Sequence, residues 1–396
     1  MKEAIETDKF AEFRTHVPVL AHTAYLDTGS TGLIPDFVHD GVARYQEDRY
    51  LHGGDSIWQL PGGQTGGTIA MMDWAKSQIG QMIGAEKENI VFGNNSSHIY
   101  TMLTTGMEFT PGDNVVLVEN SWIANRFAWQ IRQQDGLEIR YAKAKDGVVL
   151  PEDLFALCDA RTKAICISLV ESFTGFRLDA AAIGAFCKEK GMIFAVDGVQ
   201  ALGVMPVDVK AMGIDFLIGN DYKWMMNYCG TGYGYISPAL QKNLKQRAAG
   251  WMSDDTRFDT SKQVLRLRED AGRFELGFPT VSGIYGLGLA AENYLKMGAS
   301  NIAAYVLGLT AYLREQAARA KGVRPAYDFA GENLSGVTVL YLDEDTGVTN
   351  EILQAKGIGA SVKPAAGMPG CLEMRVSLHY YNNKEDINRL MDVIGK

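Results

Sequence analysis

The chain has 396 residues, of which 46% are hydrophobic and 21% charged, which is typical of globular proteins with a large buried core in two or three lobes. Its net charge of −9 gives no electrostatic argument for a nucleic-acid partner. No apolar stretch is long enough to span a bilayer, so a membrane protein is not expected.

The N-terminus and the cysteines bear on the cellular location. Residues 1–6 lack the apolar core of a signal peptide. The five cysteines form no CxxC pair and no zinc-like spacing, so neither a metal site nor a disulfide framework is expected. We therefore expect a cytoplasmic protein without disulfides.

Residues 1–60 are predicted to form an irregular arm and one helix. Residues 25–32 are typical of a short strand that runs into a glycine turn, and Pro35 then begins the helix. Residues 52–67 contain six glycines, which favours a loop over a regular element. A plain linker and an active-site loop are both open interpretations of this loop.

Between about residues 61 and 290, predicted helices and strands alternate. A helix is predicted over 178–190, ended by Gly191. The candidate strands are short apolar runs, several of them continuous as in strands buried on both faces: 90–92, 115–118, 164–167, 193–196, 216–218 and 233–236. This alternation predicts an α/β domain with a mostly parallel sheet covered by helices.

From about residue 291 the pattern changes to that of a smaller α+β lobe. Its predicted elements are helices over 290–297, 302–320 and 384–394 and strands over 337–342 and 374–378. We therefore predict an N-terminal arm and helix over 1–60, a large domain over 61–290 and a small C-terminal domain over 291–396.

Asp197 and Lys223 follow two of the apolar runs, where two strands are predicted to end. Open α/β sheets bind ligands at such ends, so we expect this acid and this amine at one site. A lysine can form a Schiff base, and a carboxylate can keep a pyridine nitrogen protonated. Because Lys223 lies between Tyr222 and Trp224, a partly desolvated amine is favoured over one that reaches solvent. The pair predicts pyridoxal 5'-phosphate (PLP).

Further polar and aromatic residues lie near predicted strand ends. Ser96 and Ser97 begin a helix after a strand, where N–H groups and hydroxyls bind phosphate, although ordinary helix capping is an alternative. Trp122 could stack on a flat cofactor or simply pack in the core. Gln200 could reach the ring hydroxyl of the cofactor. Arg375 could bind a carboxylate through two hydrogen bonds, or form a surface ion pair.

Together these residues resemble the class V aminotransferase family of PLP-dependent enzymes, which includes cysteine desulfurases, kynureninase and isopenicillin N epimerase-like proteins. The resemblance covers about residues 20–395. The matching segments are Ser96-Ser97, Asp197-Gly198-Val199-Gln200, Tyr222-Lys223-Trp224, Arg273-Phe274-Glu275 with Gly277 and Pro279, and Arg375-Val376-Ser377. It implies a type I PLP-dependent transferase fold, with a mostly parallel seven-stranded sheet in the large domain. It also implies a homodimer with active sites at the interface.

The resemblance also implies roles for individual residues. Lys223 would carry PLP and act as the base at Cα, and Asp197 would face the ring nitrogen. Arg375, with Thr28 and Gly29, would bind the substrate.

Three positions depart from the family pattern. Tyr222 replaces the usual histidine before the lysine, so a phosphate contact changes from imidazole to phenol. Phe278 replaces the threonine that reaches the partner's phosphate, and Thr280 is its possible substitute. Trp122 stands where desulfurases carry a histidine.

The reaction that follows removal of the Cα proton is less determined than the cofactor. We expect an aminotransferase, with a Cβ-lyase acting on a sulfur-containing amino acid, or an epimerase, as alternatives. A persulfide-forming cysteine desulfurase is not expected, because the loop over 360–367 contains no cysteine and Cys371 is close to a strand. A nucleotide-binding oxidoreductase, and a PLP-binding protein without turnover, are alternatives from other classes; no G-x-G-x-x-G motif follows the first strand of the large domain.

Overall fold

The computed structural model describes residues 2–53, 67–257, 259, 261 and 263–395. Most of the glycine-rich segment predicted to be a loop over 52–67 lies outside these residues. Its first residue, His52, is the last residue of a helix rather than part of a loop.

The strands are short, and most lie in two sheets. In chain order they are β1 (Ala24–Tyr25), β2 (Ile90–Gly93), β3 (Asn114–Val118), β4 (Glu138–Ala142), β5 (Thr162–Ser168), β6 (Ile193–Asp197), β7 (Phe216–Asn220), β8 (Gly232–Ile236), β9 (Val323–Pro325), β10 (Val337–Asp343), β11 (Ile358–Gly359), β12 (Val362–Pro364) and β13 (Cys371–Ser377).

The helices cover the sheets and carry the N-terminal and C-terminal segments. In chain order they are α1 (Lys2–Thr15), α2 (Asp36–His52), α3 (Thr68–Ile83), α4 (Ser96–Gly106), α5 (Ile123–Gln130), α6 (Pro151–Phe155), α7 (Ala180–Lys190), α8 (Pro238–Asn243), α9 (Val281–Met297), α10 (Ala299–Arg319), α11 (Asn350–Ala355) and α12 (Lys384–Ile394). None of these described helices is long and apolar enough to cross a membrane.

The seven-stranded sheet has the order β2-β8-β7-β6-β5-β3-β4 and is mostly parallel. Strand β8 alone runs antiparallel to its neighbours, β2 and β7. Alternate residues of one strand enter different cores: in β3, Val116 and Val118 join the core on one face, whereas Val115 and Leu117 join the core on the other. Burial on both faces explains the continuous apolar runs of the central strands and confirms the predicted α/β class.

Strand β4 was missed in the sequence because it lies at the edge of this sheet. Its sequence mixes charged and apolar residues, and only Ala142 is fully buried. An edge strand needs less apolar surface than a central one, so it gives a weaker sequence signal.

A four-stranded antiparallel sheet, with the order β12-β13-β10-β9, forms the centre of the C-terminal part. Its core includes Leu340 and Met374 and is separate from the two cores of the large sheet. The observed bounds of α12 equal the predicted range 384–394. Helix α9 begins earlier than the predicted helix over 290–297. The predicted domain limits stay a prediction.

The N-terminal segment is more ordered than the irregular arm predicted from sequence. Residues 2–15 form helix α1, and its Phe10 and Phe13 are buried against the rest of the chain. Arg14 makes two hydrogen bonds with the carboxylate of Asp386, which is 1% exposed. Strand β1 pairs in parallel with β11. These contacts to distant residues order the segment, and a local pattern does not reveal them.

Candidate active site

A cleft lies at the carboxyl ends of β5, β6 and β7. The last residues of these neighbouring strands, Ser168, Asp197 and Asn220, line it. The cleft therefore has the position that ligands occupy in open α/β sheets. Among the residues predicted from sequence, those that line it are Ser96, Ser97, Trp122, Asp197, Gln200, Tyr222 and Lys223.

Asp197 is the buried acid of this cleft, with 7% of its surface exposed. Its Oδ2 accepts a hydrogen bond of 2.6 Å from Nδ2 of Asn125, and its Oδ1 accepts one of 2.8 Å from the backbone N–H of Val199. Burial raises the pKa of Asp197, while these two hydrogen bonds and the charge of Lys223 oppose the rise. Within the described residues Asp197 has no salt-bridge partner, so its carboxylate fits a cationic pyridine nitrogen.

Lys223 follows β7 by three residues and reaches the cleft beside two aromatic rings. Its Nζ lies 5.8 Å from the ring centroid of Trp122 and 6.0 Å from that of Tyr222. The pKa of Lys223 is lowered to about 8, mainly by burial and also by the charge of Arg375, while the charges of Asp197 and Asp27 oppose the shift. An amine with this pKa is partly neutral near pH 7.5, as a nucleophile or a base must be.

The first turn of α4 supplies polar groups at another side of the cleft. Asn95 caps this helix, because its side chain accepts a hydrogen bond of 2.8 Å from the N–H of His98. The capping alternative therefore applies to Asn95, while Ser96 and Ser97 line the cleft. A Cβ at Gly232 would lie 2.2 Å from the carbonyl carbon of Asn95, so glycine lets β8 approach this helix start. Hydroxyls and a helix N-terminus at one place fit a phosphate group.

Gln200 connects the cleft to the N-terminal glycine turn. Its Nε2 donates to the carbonyl oxygen of Gly29 over 3.0 Å and to Oγ of Ser172 over 3.3 Å. Its Oε1 accepts a hydrogen bond of 2.8 Å from the indole N–H of Trp224. The structure therefore fixes the orientation of this amide, while its contact with a cofactor stays a prediction.

Arg375 lies beside the same turn and is 22% exposed. Its guanidinium donates to Oγ of Ser172 over 3.1 Å and to Oγ of Ser30 over 2.5 Å. Its nearest acid is Asp27, with a nitrogen-to-oxygen distance of 3.4 Å. A Cβ at Gly29 would approach the guanidinium carbon to 3.4 Å. Arg375, held beside this turn, thus places a positive charge next to Ser172, which lines the cleft.

Thr28 and Thr280 are not brought into the cleft. Thr28 is fully buried, and its Oγ1 lies 2.5 Å from the hydroxyl of Tyr381. Thr280 precedes α9 and lines a different groove, together with Tyr228 and Cys229. In one chain Thr280 therefore cannot touch a ligand of the same cleft, and its predicted contact with a partner's phosphate stays a prediction.

The sequence interpretation missed Asn125, Ser168 and Ser172. Ser168 pairs with Asp197 in the register between β5 and β6, so the strand-end rule that identified Asp197 also applies to it. Asn125 lies on α5, and no local pattern in the sequence indicates that its amide contacts Asp197.

The relatives of this chain are named for sulfur chemistry. The chain is 26% identical over 394 residues to a probable cysteine desulfurase of Methanothermobacter thermautotrophicus, covering 97% of this chain and 96% of the relative. A cysteine desulfurase of Thermococcus onnurineus has the same fold, with a TM-score of 0.82, 22% identity and coverage of 97% and 96%. A cystine C–S lyase, solved with its product cysteine persulfide, matches with a TM-score of 0.82, 18% identity and coverage of 96% and 99%.

These names correct the predicted reaction. The expectation of an aminotransferase and the argument against a desulfurase are both wrong, because relatives that match nearly the whole chain are named cysteine desulfurases. The absence of a cysteine in 360–367 limits only where an acceptor thiol lies, and it does not bear on cleavage of a carbon–sulfur bond. Cys371 is indeed buried, whereas Cys229 is exposed.

The family resemblance is confirmed over the whole architecture. The sequence model of the family described as aminotransferase class-V matches residues 24–390. This span includes the large sheet, the cleft and most of the C-terminal part. The match confirms the predicted PLP cofactor, which the buried acid, the lysine and the two serines at the start of α4 also fit. The chain therefore belongs to the class V aminotransferase family of PLP-dependent enzymes.

Proposed function

We propose that this protein is a PLP-dependent enzyme that cleaves the carbon–sulfur bond of L-cysteine, in the manner of a cysteine desulfurase. The observation that carries the proposal is the placement of Lys223 in one cleft with Asp197, with Arg375 at its edge. This arrangement suits chemistry at Cα of an amino acid. The names of relatives that span nearly the whole chain point to cysteine as that amino acid.

The chain's own residues would hold the cofactor at three points. Ser96 and Ser97, with the start of α4, would bind the phosphate. Asp197 would pair with the ring nitrogen and keep it protonated, and Lys223 would provide the amine for attachment. When bound, PLP supplies an electron sink for the electrons left at Cα.

Arg375 would orient the substrate by its carboxylate. The guanidinium donates to Ser172 and Ser30. Its nearest acid, Asp27, is 3.4 Å away, so it can also bind the carboxylate of a substrate. Lys223 would move the Cα proton, because its pKa of about 8 lets it accept and return a proton near neutral pH. Trp122, 44% exposed at the mouth, would cover the flat face of the ring.

The proposed reaction converts one cysteine and one acceptor thiol to alanine and a persulfide. The Cβ–S bond breaks, Cβ gains a proton, and the sulfur forms a new S–S bond with the acceptor. All atoms and electrons are accounted for, so no external oxidant is needed.

We also propose a homodimer in which each chain completes the partner's site. Thr280 faces a groove outside the cleft of its own chain, together with the exposed Cys229. Phe278, just before it, is 44% exposed and packs edge-on against Trp251, which is 39% exposed. An exposed aromatic pair close in sequence to this groove suits burial by a second copy. Sedimentation at several concentrations measures the mass, and a monomer at every concentration contradicts the proposal.

The reaction is tested with the PLP-loaded protein, L-cysteine and dithiothreitol as the acceptor thiol. Sulfide and alanine should form in a one-to-one ratio, and Lys223→Ala should abolish both. The matched control is Lys242→Ala, which removes an exposed lysine on α8 and should leave turnover unchanged.

The product that accompanies sulfide decides the proposal. Pyruvate and ammonia in place of alanine would replace desulfuration by β-elimination. Turnover of cystine but not of cysteine would assign the substrate class of the C–S lyase that shares the fold. Turnover retained by Lys223→Ala would refute the role of the lysine.

A further inference from the structure

Glu171 is a buried acid that the proposed mechanism does not use. It lies three residues beyond β5, is 2% exposed and does not line the cleft. Its Oε1 accepts a hydrogen bond of 2.9 Å from Oγ of Ser121, whereas Oε2 has no partner within the described part of the chain. No ion pair joins Glu171 to a described cation. A buried carboxylate with a single hydrogen bond is costly, so this site favours the uncharged acid.

A chain of buried polar groups connects Glu171 to Asp197. Oγ of Ser121 lies 3.4 Å from Oγ of Ser168, and Nδ2 of Asn125 lies 3.5 Å from the same Ser168 oxygen. Nδ2 of Asn125 also donates to Oδ2 of Asp197 over 2.6 Å. Ser168 and Asp197 are directly paired in the register of β5 and β6. Two buried acids therefore stand at the two ends of one hydrogen-bonded chain.

The charge of Glu171 decides how many anions this chain has to stabilise. Oε1 of Glu171 accepts from the hydroxyl of Ser121 in either charge state, so the proton of the uncharged acid is on Oε2. At the other end, Nδ2 of Asn125 donates to Ser168 and to Asp197. With Glu171 uncharged, Asp197 is the one carboxylate of this chain.

We infer that Glu171 is a positioning residue which, as an uncharged carboxyl, holds the hydroxyl of Ser121 at the far end of this chain and leaves Asp197 as the ionised acid beneath the cofactor. This role deepens the proposed function, because it rests on Asp197 facing the PLP nitrogen. The inference concerns the charge of the cofactor ring rather than contact with the substrate.

The electrostatic surroundings of the two acids agree with this division. Burial, together with the like charge of Asp197, raises the pKa of Glu171 to about 8. Among the described residues, Asp197 is the titratable group whose charge acts on Glu171. Burial raises the pKa of Asp197 as well, but Asn125, the N–H of Val199 and the charge of Lys223 all oppose that rise. Glu171 has only one hydroxyl in that role, so it is the member of the pair that keeps a proton.

The charge state of Glu171 is tested without the cofactor. The folded protein holds the Glu171 proton up to about pH 8, whereas the unfolded chain releases it near pH 4.5. The wild type therefore loses stability relative to Glu171→Gln as pH rises between these values. The ratio of their unfolding constants should change by up to about tenfold per pH unit from pH 5 to pH 8. A ratio that does not change with pH would show an ionised Glu171 and overturn the inference.

The positioning role is tested with the PLP-loaded protein. Glu171→Gln mimics the neutral acid and should keep the visible absorption band and the PLP affinity of the wild type. Glu171→Met has a similar size without hydrogen-bonding groups, and it should weaken PLP binding about tenfold. The control is Asp215→Asn, a half-buried acid at the opposite end of the sheet, which accepts a hydrogen bond from the N–H of Phe194. It should alter the pH dependence of stability but not the absorption band.

The outcomes separate this inference from the proposed function. Equal damage by Gln and Met, or none by Met, would overturn the positioning role alone. A wild-type protein that takes up no PLP would overturn the cofactor site and the positioning role together. The unfolding experiment is decisive for the charge of Glu171 in either event.

Discussion

Gly32 lies against the backbone of Lys223 so closely that a Cβ would come within 1.9 Å of the lysine's carbonyl oxygen. The N–H of Gly32 donates to the carbonyl oxygen of Tyr222 over 2.8 Å. The N-terminal turn therefore fixes the segment that presents the lysine, although the two are about 190 residues apart in the sequence.

We expect Gly32→Ala to displace the Lys223 segment, because the contacted atom is a backbone oxygen that has no rotamer to change. Uptake of PLP should fall and the midpoint of thermal unfolding should decrease. Absorption spectroscopy and calorimetry measure these effects. The control is Gly308→Ala on α10, where a Cβ meets nothing within 4 Å, so helix propensity should leave stability equal or higher. Normal PLP uptake by Gly32→Ala would contradict the prediction.

The pKa of Lys223 should depend on Asp197 and Arg375 in opposite directions. In the cofactor-free protein, reductive labelling of Lys223 with pyridoxal should be half-maximal at about pH 8. Asp197→Asn removes an anion that raises this pKa, so the midpoint should fall. Arg375→Met removes a cation that lowers it, so the midpoint should rise. Peptide mapping of the reduced adduct locates the label, and midpoints that move the other way would refute this electrostatic account.

His379 should make the protein sensitive to acid. It is fully buried, and burial lowers its pKa to about 3, against an ordinary value near 6.5. The unfolded chain therefore binds a proton that the folded protein refuses, and stability is lost as pH falls from about 6.5 towards 3. The loss reaches at most about 1.4 kcal/mol per pH unit.

His379→Gln removes this titration and retains a polar group near the carbonyl oxygen of Trp224, which lies 3.0 Å from Nε2 of His379. Urea unfolding from pH 4 to pH 7 measures the difference between the two proteins. The wild type should lose stability faster than the variant on acidification; parallel curves would rule out the histidine as the source.

Removing the acid that holds helix α1 should be strongly destabilising. Asp386 is 1% exposed and accepts hydrogen bonds of 2.7 and 2.9 Å from Arg14. Asp386→Asn leaves a half-buried guanidinium without its anion, and the free energy of unfolding should fall by about 3 kcal/mol. Glu292→Gln breaks an exposed pair with Lys296 and should change little. Equal losses of unfolding free energy in Asp386→Asn and Glu292→Gln would refute this ranking of the two ion pairs.

The sequence predicted most strands of the large sheet because burial on both faces leaves a continuous apolar run. It missed β4, whose edge position requires fewer apolar residues, and α1, whose order comes from contacts such as Arg14 with Asp386. The strand-end rule located Asp197 and Lys223, since both follow strands that the pattern made visible.

Local sequence patterns did not determine which reaction the protein catalyses. The sequence indicated the cofactor because an acid and a lysine at strand ends have a chemical meaning wherever the chain places them. The absence of a cysteine in 360–367 predicted that the protein is not a desulfurase, which was wrong, because the position of one thiol does not determine which bond of the substrate breaks.

By itself, then, the sequence determined the fold class, the cofactor and the acid and lysine of the site, since each has a signal within a few consecutive residues. Only the tertiary structure decided which distant groups surround them: Asn125 on Asp197, Gly32 beneath Lys223, and Glu171 at the far end of a buried polar chain. These contacts join residues from separate strands and helices. Tertiary packing forms these contacts, and no periodic pattern in the sequence predicts them.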